Sequence, residues 1–142
     1  MEDRFNLKRF LDAQSNTYER ALTEIKNGRK RSHWMWYIFP QHKGLGRSST
    51  SMKYAIKSQE EANIYINHPI LGQRLIEITK AFLSIENKTA YEVLGGPDDL
   101  KIKSSMTLFD TIQNESDLFD TVLEKYFEGN RCRRTISGLK NE

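Results

Sequence analysis

The chain of 142 residues has a single cysteine, Cys132, so no internal disulfide and no multi-cysteine metal site can form. Its three histidines, His33, His42 and His68, have no i,i+4 pairing and no cysteine partner, so no metal is expected. No cofactor is expected either, because a chain of this length buries a sufficient core by itself. Long apolar runs are missing: the longest, Trp34 to Phe39, is far too short to span a membrane. The opening MEDRFNLKRF carries acids where a secretory leader carries bases, and no apolar stretch follows it. These absences set the expectation of a cytoplasmic protein with no membrane partner. Internal repeats and low-complexity tracts are also lacking, and nothing in the sequence fixes an oligomeric state.

One further absence is local. Between Ile25 and Gln59 there is no acidic residue, against eight bases: Lys26, Arg29, Lys30, Arg31, Lys43, Arg47, Lys53 and Lys57. Arg131, Arg133, Arg134 and Lys140 add a second basic stretch near the end of the chain, so the net charge of +3 hides a strongly polarised distribution. A polarised surface serves solubility in many proteins. Bases gathered close together also raise the local concentration of anions.

What is present is mostly helical periodicity. Leu7, Phe10, Leu11, Tyr18, Leu22 and Ile25 recur at 3.6-residue spacing and predict one amphipathic helix of about five turns, stopped by Asn27-Gly28. Ser58 and Glu61 form a capping-box pattern for a short helix through Ile66. A third helix follows His68-Pro69, with Leu71, Leu75, Ile78 and Phe82 on one face and His68 bracing its start. After the Gly95-Gly96-Pro97 turn, Asp98 and Asp99 favour a helix to about Gln113 that packs Leu100, Leu108, Phe109 and Ile112. Ser116 caps a last helix with Leu118, Phe119, Val122, Leu123, Tyr126 and Phe127 inside, ended by Gly129. The reading is an all-α protein: a compact single domain over residues 1–128 with about six helices, then a short basic tail over 129–142.

The chemistry concentrates in Arg29–Ser51, RKRSHWMWYIFPQHKGLGRSSTS. Its centre, WMWYIF, is apolar throughout, so periodicity cannot separate helix from strand, and core packing is the ordinary role of such a run. Its two polar shoulders are the candidate site. Arg29, Lys30, Arg31, Ser32 and His33 lead in; Gln41, His42, Gly44, Gly46, Arg47, Ser48 and Ser49 lead out. The glycine turn resembles a phosphate cradle in composition, although it matches no P-loop or dinucleotide motif. His33, beside Trp34, is the best acid–base candidate if partly buried; His42, after Pro40, reads as a surface residue. Lys101, Lys103, Ser104, Ser105 and Thr107 form a further polar cluster that supplies a third wall.

The stretch GRKRSHWMWYIFPQHKGLGRSSTSMKYAI, with HPILGQRL, DDLKIKSSMTLF and AQSNTYERALTEI, resembles the bacterial and fungal family called domain of unknown function 1810. The resemblance covers nearly the whole chain and implies a compact all-α fold and no assigned activity. Positions matching the family pattern include Gln14, Tyr18, Lys30, Ser32, His33, Trp34, Trp36, Pro40, Gln41, Gly46, Ser48, Tyr54, His68, Arg74, Lys101, Ser104 and Ser105. The chain departs from that pattern after Gly129, where Cys132, Arg133 and Arg134 stand in place of an acidic residue before the threonine.

The resulting expectation is a protein that binds, as an enzyme or otherwise, an anionic small molecule: a phosphate-bearing metabolite of the nucleotide or ADP-ribose-like class. Lys30, Arg47 and Lys101 would hold the anion, Trp34 or Trp36 would offer a stacking face, and His33 would serve as the catalytic acid–base. Ser32, Gln41, Gly46, Ser48, Ser104 and Ser105 would complete the ligand contacts. The alternatives are nucleic-acid binding through the basic segment and the Arg131–Arg134 stretch, or a protein-interaction module built on the aromatics. Nucleic acid is the weaker of these, since no recognised binding motif is present.

Overall fold

The computed structural model describes residues 3–112 and 116–142, and among these it forms ten helices and no strand. They are α1 Lys8–Gln14, α2 Tyr18–Lys26, α3 Met35–Ile38, α4 Ser49–Lys53, α5 Gln59–Asn67, α6 Leu71–Leu83, α7 Ala90–Leu94, α8 Asp98–Thr111, α9 Leu118–Phe127 and α10 Arg133–Lys140. The all-α class and the compact single domain agree with the sequence; the count of about six helices does not. Three of the extra helices, α3, α4 and α7, have only four or five residues, too few to display a period. A fourth arises because the five-turn helix over 7–27 is two helices. Ser15, Asn16 and Thr17 break it, with the Ser15 hydroxyl turned back to the Asp12 carbonyl and Thr17 N–H bonded to Gln14 carbonyl.

Helix α10 stands where a basic tail was expected. Thr135 and Leu139, one turn apart, are buried against α8, and this single stripe holds an otherwise polar helix in place.

Helix α8 is the axis of the domain, packing against α9, α10, α7, α3 and α5. Ile102, Ser105, Met106 and Phe109 are fully buried along it, while the outer α2, α5, α6 and α9 pack on one another. Leu108, Phe109 and Ile112 are buried as expected, but Leu100 is 58% exposed. The core stripe runs through Ile102, Met106 and Phe109, and Leu100 lies off that stripe. Described α8 ends at Thr111; the expected end near Gln113 lies outside the described residues.

Local signals behave unevenly. Ser58 caps α5 by accepting from Glu61 N–H, but the Glu61 carboxylate does not return to Ser58. It accepts from Lys57 N–H and forms a buried ion pair with Arg9 at 2.7 Å, joining α5 to α1. His68 braces α6 as expected, its Nδ1 accepting from Ile70 and Leu71 N–H. Gln14, also buried, donates to the Tyr37 carbonyl and to the Tyr65 hydroxyl, tying α1 to α3 and α5.

Candidate functional site

The leading shoulder of the apolar segment is organised by one residue, Glu24 on α2. Its buried carboxylate accepts from Arg31 N–H at 2.7 Å, Ser32 N–H at 3.1 Å, the Ser32 hydroxyl at 2.6 Å and the Trp34 indole N–H at 2.9 Å. Burial opposes its ionisation, but these donors outweigh it and hold the pKa down to about 2. Ser32 and Trp34 are therefore spent on structure, and Trp34, 1% exposed, presents no stacking face. Lys30 is spent too: its Nζ lies 2.9 Å from Asp98 Oδ2 and over the Trp34 ring. His33 is exposed rather than partly buried, because the segment turns outward there before α3; its carbonyl accepts from the Tyr37 hydroxyl. It borders a cleft of only about 130 Å³ with Lys30, Trp36, Asp98 and Lys101.

The trailing shoulder behaves differently. After α3 the chain pairs briefly with the segment before α5, through Ile56 N–H to the Gln41 carbonyl and Lys43 N–H to the Ile56 carbonyl. The loop then crosses the Trp36 side chain at Gly46. A Cβ on Gly46 would lie 2.6 Å from Ser51 and 2.8 Å from the Trp36 ring, so only glycine allows this approach. Ser48 ends the loop by capping α4, accepting from Ser51 N–H. His42 is buried, not on the surface: Pro40 and the bridge to Ile56 turn it inward, and its Nε2 lies 2.8 Å from Glu142 Oε2.

This loop forms one wall of a groove of about 1060 Å³. Trp36, Gln41, Leu45, Gly46, Arg47 and Ser48 line the first wall. The start of α8 supplies the second, through Pro97, Leu100, Lys101, Lys103 and Ser104, and Gly129–Arg134 supply the third. Six of the lining residues are bases, Arg47, Lys101, Lys103, Arg131, Arg133 and Arg134, and none is acidic. Carboxylates behind the walls hold two of them: Lys101 meets Asp98 at 3.0 Å, and Arg131 meets Asp110 at 2.9 Å and Asp120 at 2.8 Å. Lys101 also sits 4.3 Å from the centre of the Trp36 ring. Arg134 donates to the Gly44 carbonyl at 2.8 Å and closes the third wall onto the first.

Arg47, Lys103 and Arg133 form no ion pair among the described residues, and Lys103 Nζ lies 5.9 Å from the centre of the Phe127 ring. Two donors lining it have no partner among those residues either: the side-chain N–H₂ of Gln41, a residue 5% exposed, and Nη1 of Arg131. A second cavity of about 430 Å³ shares Trp36, Gln41, Leu45, Gly46 and Arg47 with the groove and extends past Met52, Tyr54 and Ala55.

Of the residues singled out by sequence, Trp36, Gln41, Gly46, Arg47, Ser48, Lys101 and Ser104 meet in the groove. Lys30, Ser32, His33 and Trp34 do not line it, and Ser105 is fully buried in the core face of α8. The sequence reading of the site omitted the third wall altogether. Its signal was the Arg131–Arg134 charge cluster beside the i,i+4 pair Thr135 and Leu139, which marks a packed helix rather than a free end.

The family model described as "Protein of unknown function (DUF1810)" matches residues 4–139. A solved structure of the conserved hypothetical protein Rv1873 from Mycobacterium tuberculosis is 44% identical, with a TM-score of 0.95 over 97% of this chain and 99% of that one. No curated protein matches the chain.

Proposed function

We propose that this chain, which belongs to the DUF1810 family of unknown function, binds a small phosphate-bearing metabolite of the nucleotide or ADP-ribose-like class in the three-walled groove. The observation that carries this reading is the lining itself: six bases from three separated parts of the chain and no acidic residue. A low-dielectric concave wall of one sign focuses its field on a ligand of the other sign. Arg47, Lys103 and Arg133, the lining bases that form no ion pair among the described residues, hold the phosphates. The adjoining smaller cavity, bordered by Trp36, Leu45, Met52 and Tyr54, suits the heterocyclic end of the same molecule.

The reading is one of binding. The groove walls hold no carboxylate or histidine, and His42, which lines the adjoining cavity, has its Nε2 2.8 Å from Glu142, so the reading commits to no reaction. A thermal-shift series with ADP, ADP-ribose and adenosine tests it. The two phosphate-bearing compounds should raise the melting temperature progressively with concentration, and adenosine should not. Equal responses to all three, or no response across a wider nucleotide panel, would overturn the proposal.

A further inference from the structure

We propose that the groove reads phosphate chain length: it takes two or three linked phosphates in their metal-free form, with one phosphoryl group to a wall. This rests on the phosphate-ligand reading and narrows the class of ligand within it. The six bases that line the groove are of two kinds. Lys101 is held by Asp98 at 3.0 Å, Arg131 by Asp110 at 2.9 Å and Asp120 at 2.8 Å, and Arg134 by the Gly44 carbonyl at 2.8 Å. Arg47, Lys103 and Arg133 form no ion pair among the described residues. These three are distributed one to a wall: Arg47 in the loop before α4, Lys103 on α8 and Arg133 at the start of α10.

That distribution sets the number of phosphates. A groove of about 1060 Å³ is far larger than one phosphate group, and a single group against one base leaves the bases of the other two walls unused. A linked chain meets all three. Each contact after the first is then intramolecular, and it adds affinity without a further loss of translational freedom.

The same lining specifies the metal-free form. Magnesium binds a polyphosphate through its oxygens and takes one or two protein carboxylates to complete its shell. No carboxylate among the described residues lines the groove, and Asp98, Asp110 and Asp120 are already engaged with its bases. The bases stand where a metal would, and a chain already neutralised by magnesium gains less from them.

Titration calorimetry with orthophosphate, pyrophosphate, tripolyphosphate and tetrapolyphosphate in the presence of EDTA tests the proposal. Affinity should rise about ten-fold with each phosphoryl group up to three, at one site per chain, and then level off. Excess magnesium should weaken tripolyphosphate binding about ten-fold or more. Arg47→Gln, Lys103→Gln and Arg133→Gln should each remove one step of the series. Arg29→Gln, the same loss of charge at an exposed base outside the groove, should leave the series intact. Thermal midpoints report the folding of each variant, and any two of the three groove variants suffice.

Equal affinities along the series, tighter binding with magnesium, or an effect of Arg29→Gln equal to that of the groove variants would overturn the inference. Two comparisons separate it from the reading beneath it. A full series in which ADP and ADP-ribose bind no tighter than pyrophosphate upholds chain-length recognition and removes the nucleotide. AMP and ADP binding alike, with the inorganic series flat, keeps the nucleotide and removes chain-length recognition.

Discussion

Arg29–His33 and Gln41–Ser49 flank the same apolar stretch, and in sequence they are alike: basic, polar and without a single acid. In the fold, the first shoulder lies against Glu24 and Asp98, which absorb Arg31 N–H, Ser32, Trp34 and Lys30. The second meets no carboxylate among the described residues until His42 reaches Glu142, and Arg47 is left to face the groove. Composition set the charge of both; distant acids on α2 and α8 decided which of them stayed available. A basic cluster thus marks a site only where the rest of the fold leaves it uncompensated.

The strongest way to break this comparison is Glu24→Gln. The amide keeps the shape but loses the ionised acceptor for three residues of the leading shoulder, and should cost about 3 kcal/mol. That corresponds to a fall of roughly 10 °C in the thermal midpoint. The wild-type protein should show the same dependence through pH. A carboxylate with a folded pKa of about 2 and an ordinary value of 4.5 contributes its full stabilisation above pH 4.5 and loses it as pH falls toward 2. Chemical denaturation across that range should show a larger loss in wild type than in Glu24→Gln, which keeps only the contribution of the other paired carboxylates. Phosphate-ligand affinity of the folded variant at neutral pH should be unchanged; a fall comparable to that of Arg47→Glu would end the distinction between the shoulders.

Lys30→Met is next in size. It removes one of the two ammonium groups on Asp98 but leaves Lys101 in place, so the carboxylate is not stranded. A stability loss of about 2 kcal/mol with unaltered ligand affinity is the expected outcome, read by urea denaturation and titration on the same sample.

Arg47→Glu should do the reverse. The side chain is exposed and unpaired among the described residues, so stability should stay within about 0.5 kcal/mol of wild type. Affinity for a phosphate ligand should fall about ten-fold or more at low salt, with a weaker salt dependence.

How much of this was legible beforehand follows the range of the signals. Helices α6, α8 and α9 display two or more turns of apolar period, and their faces read directly. The exceptions lie on α8, where the expected face included Leu100, which is off the buried stripe, and left out Ile102 and Met106, which lie on it. The one-turn helices have no period to read, and α10 is held by two buried residues in a polar sequence. The site was half legible for a related reason. Arg47, Trp36 and Gln41 announce themselves by residue type, whereas the fates of Ser32 and Trp34 depend on Glu24, eight to ten residues away, and that of Lys30 on Asp98, 68 residues beyond it. Glu24 itself lies on the α2 stripe between Ala21 and Ile25, where it looks like one more solvated acid.

Ser48 gives the smallest and most discriminating test, because it belongs to the trailing shoulder yet has a structural duty. Its hydroxyl caps α4 while its side chain borders the groove. Ser48→Ala should cost about 1 kcal/mol through loss of the cap. Ser48→Asp keeps a good cap and should restore that stability, but it places a negative charge on the wall whose one base, Arg47, meets no carboxylate among the described residues. Ligand affinity should then fall several-fold in the aspartate variant and hardly at all in the alanine one. If stability and affinity instead fall together in both, the loop's order and not its charge governs binding, and the trailing shoulder is as structural as the leading one.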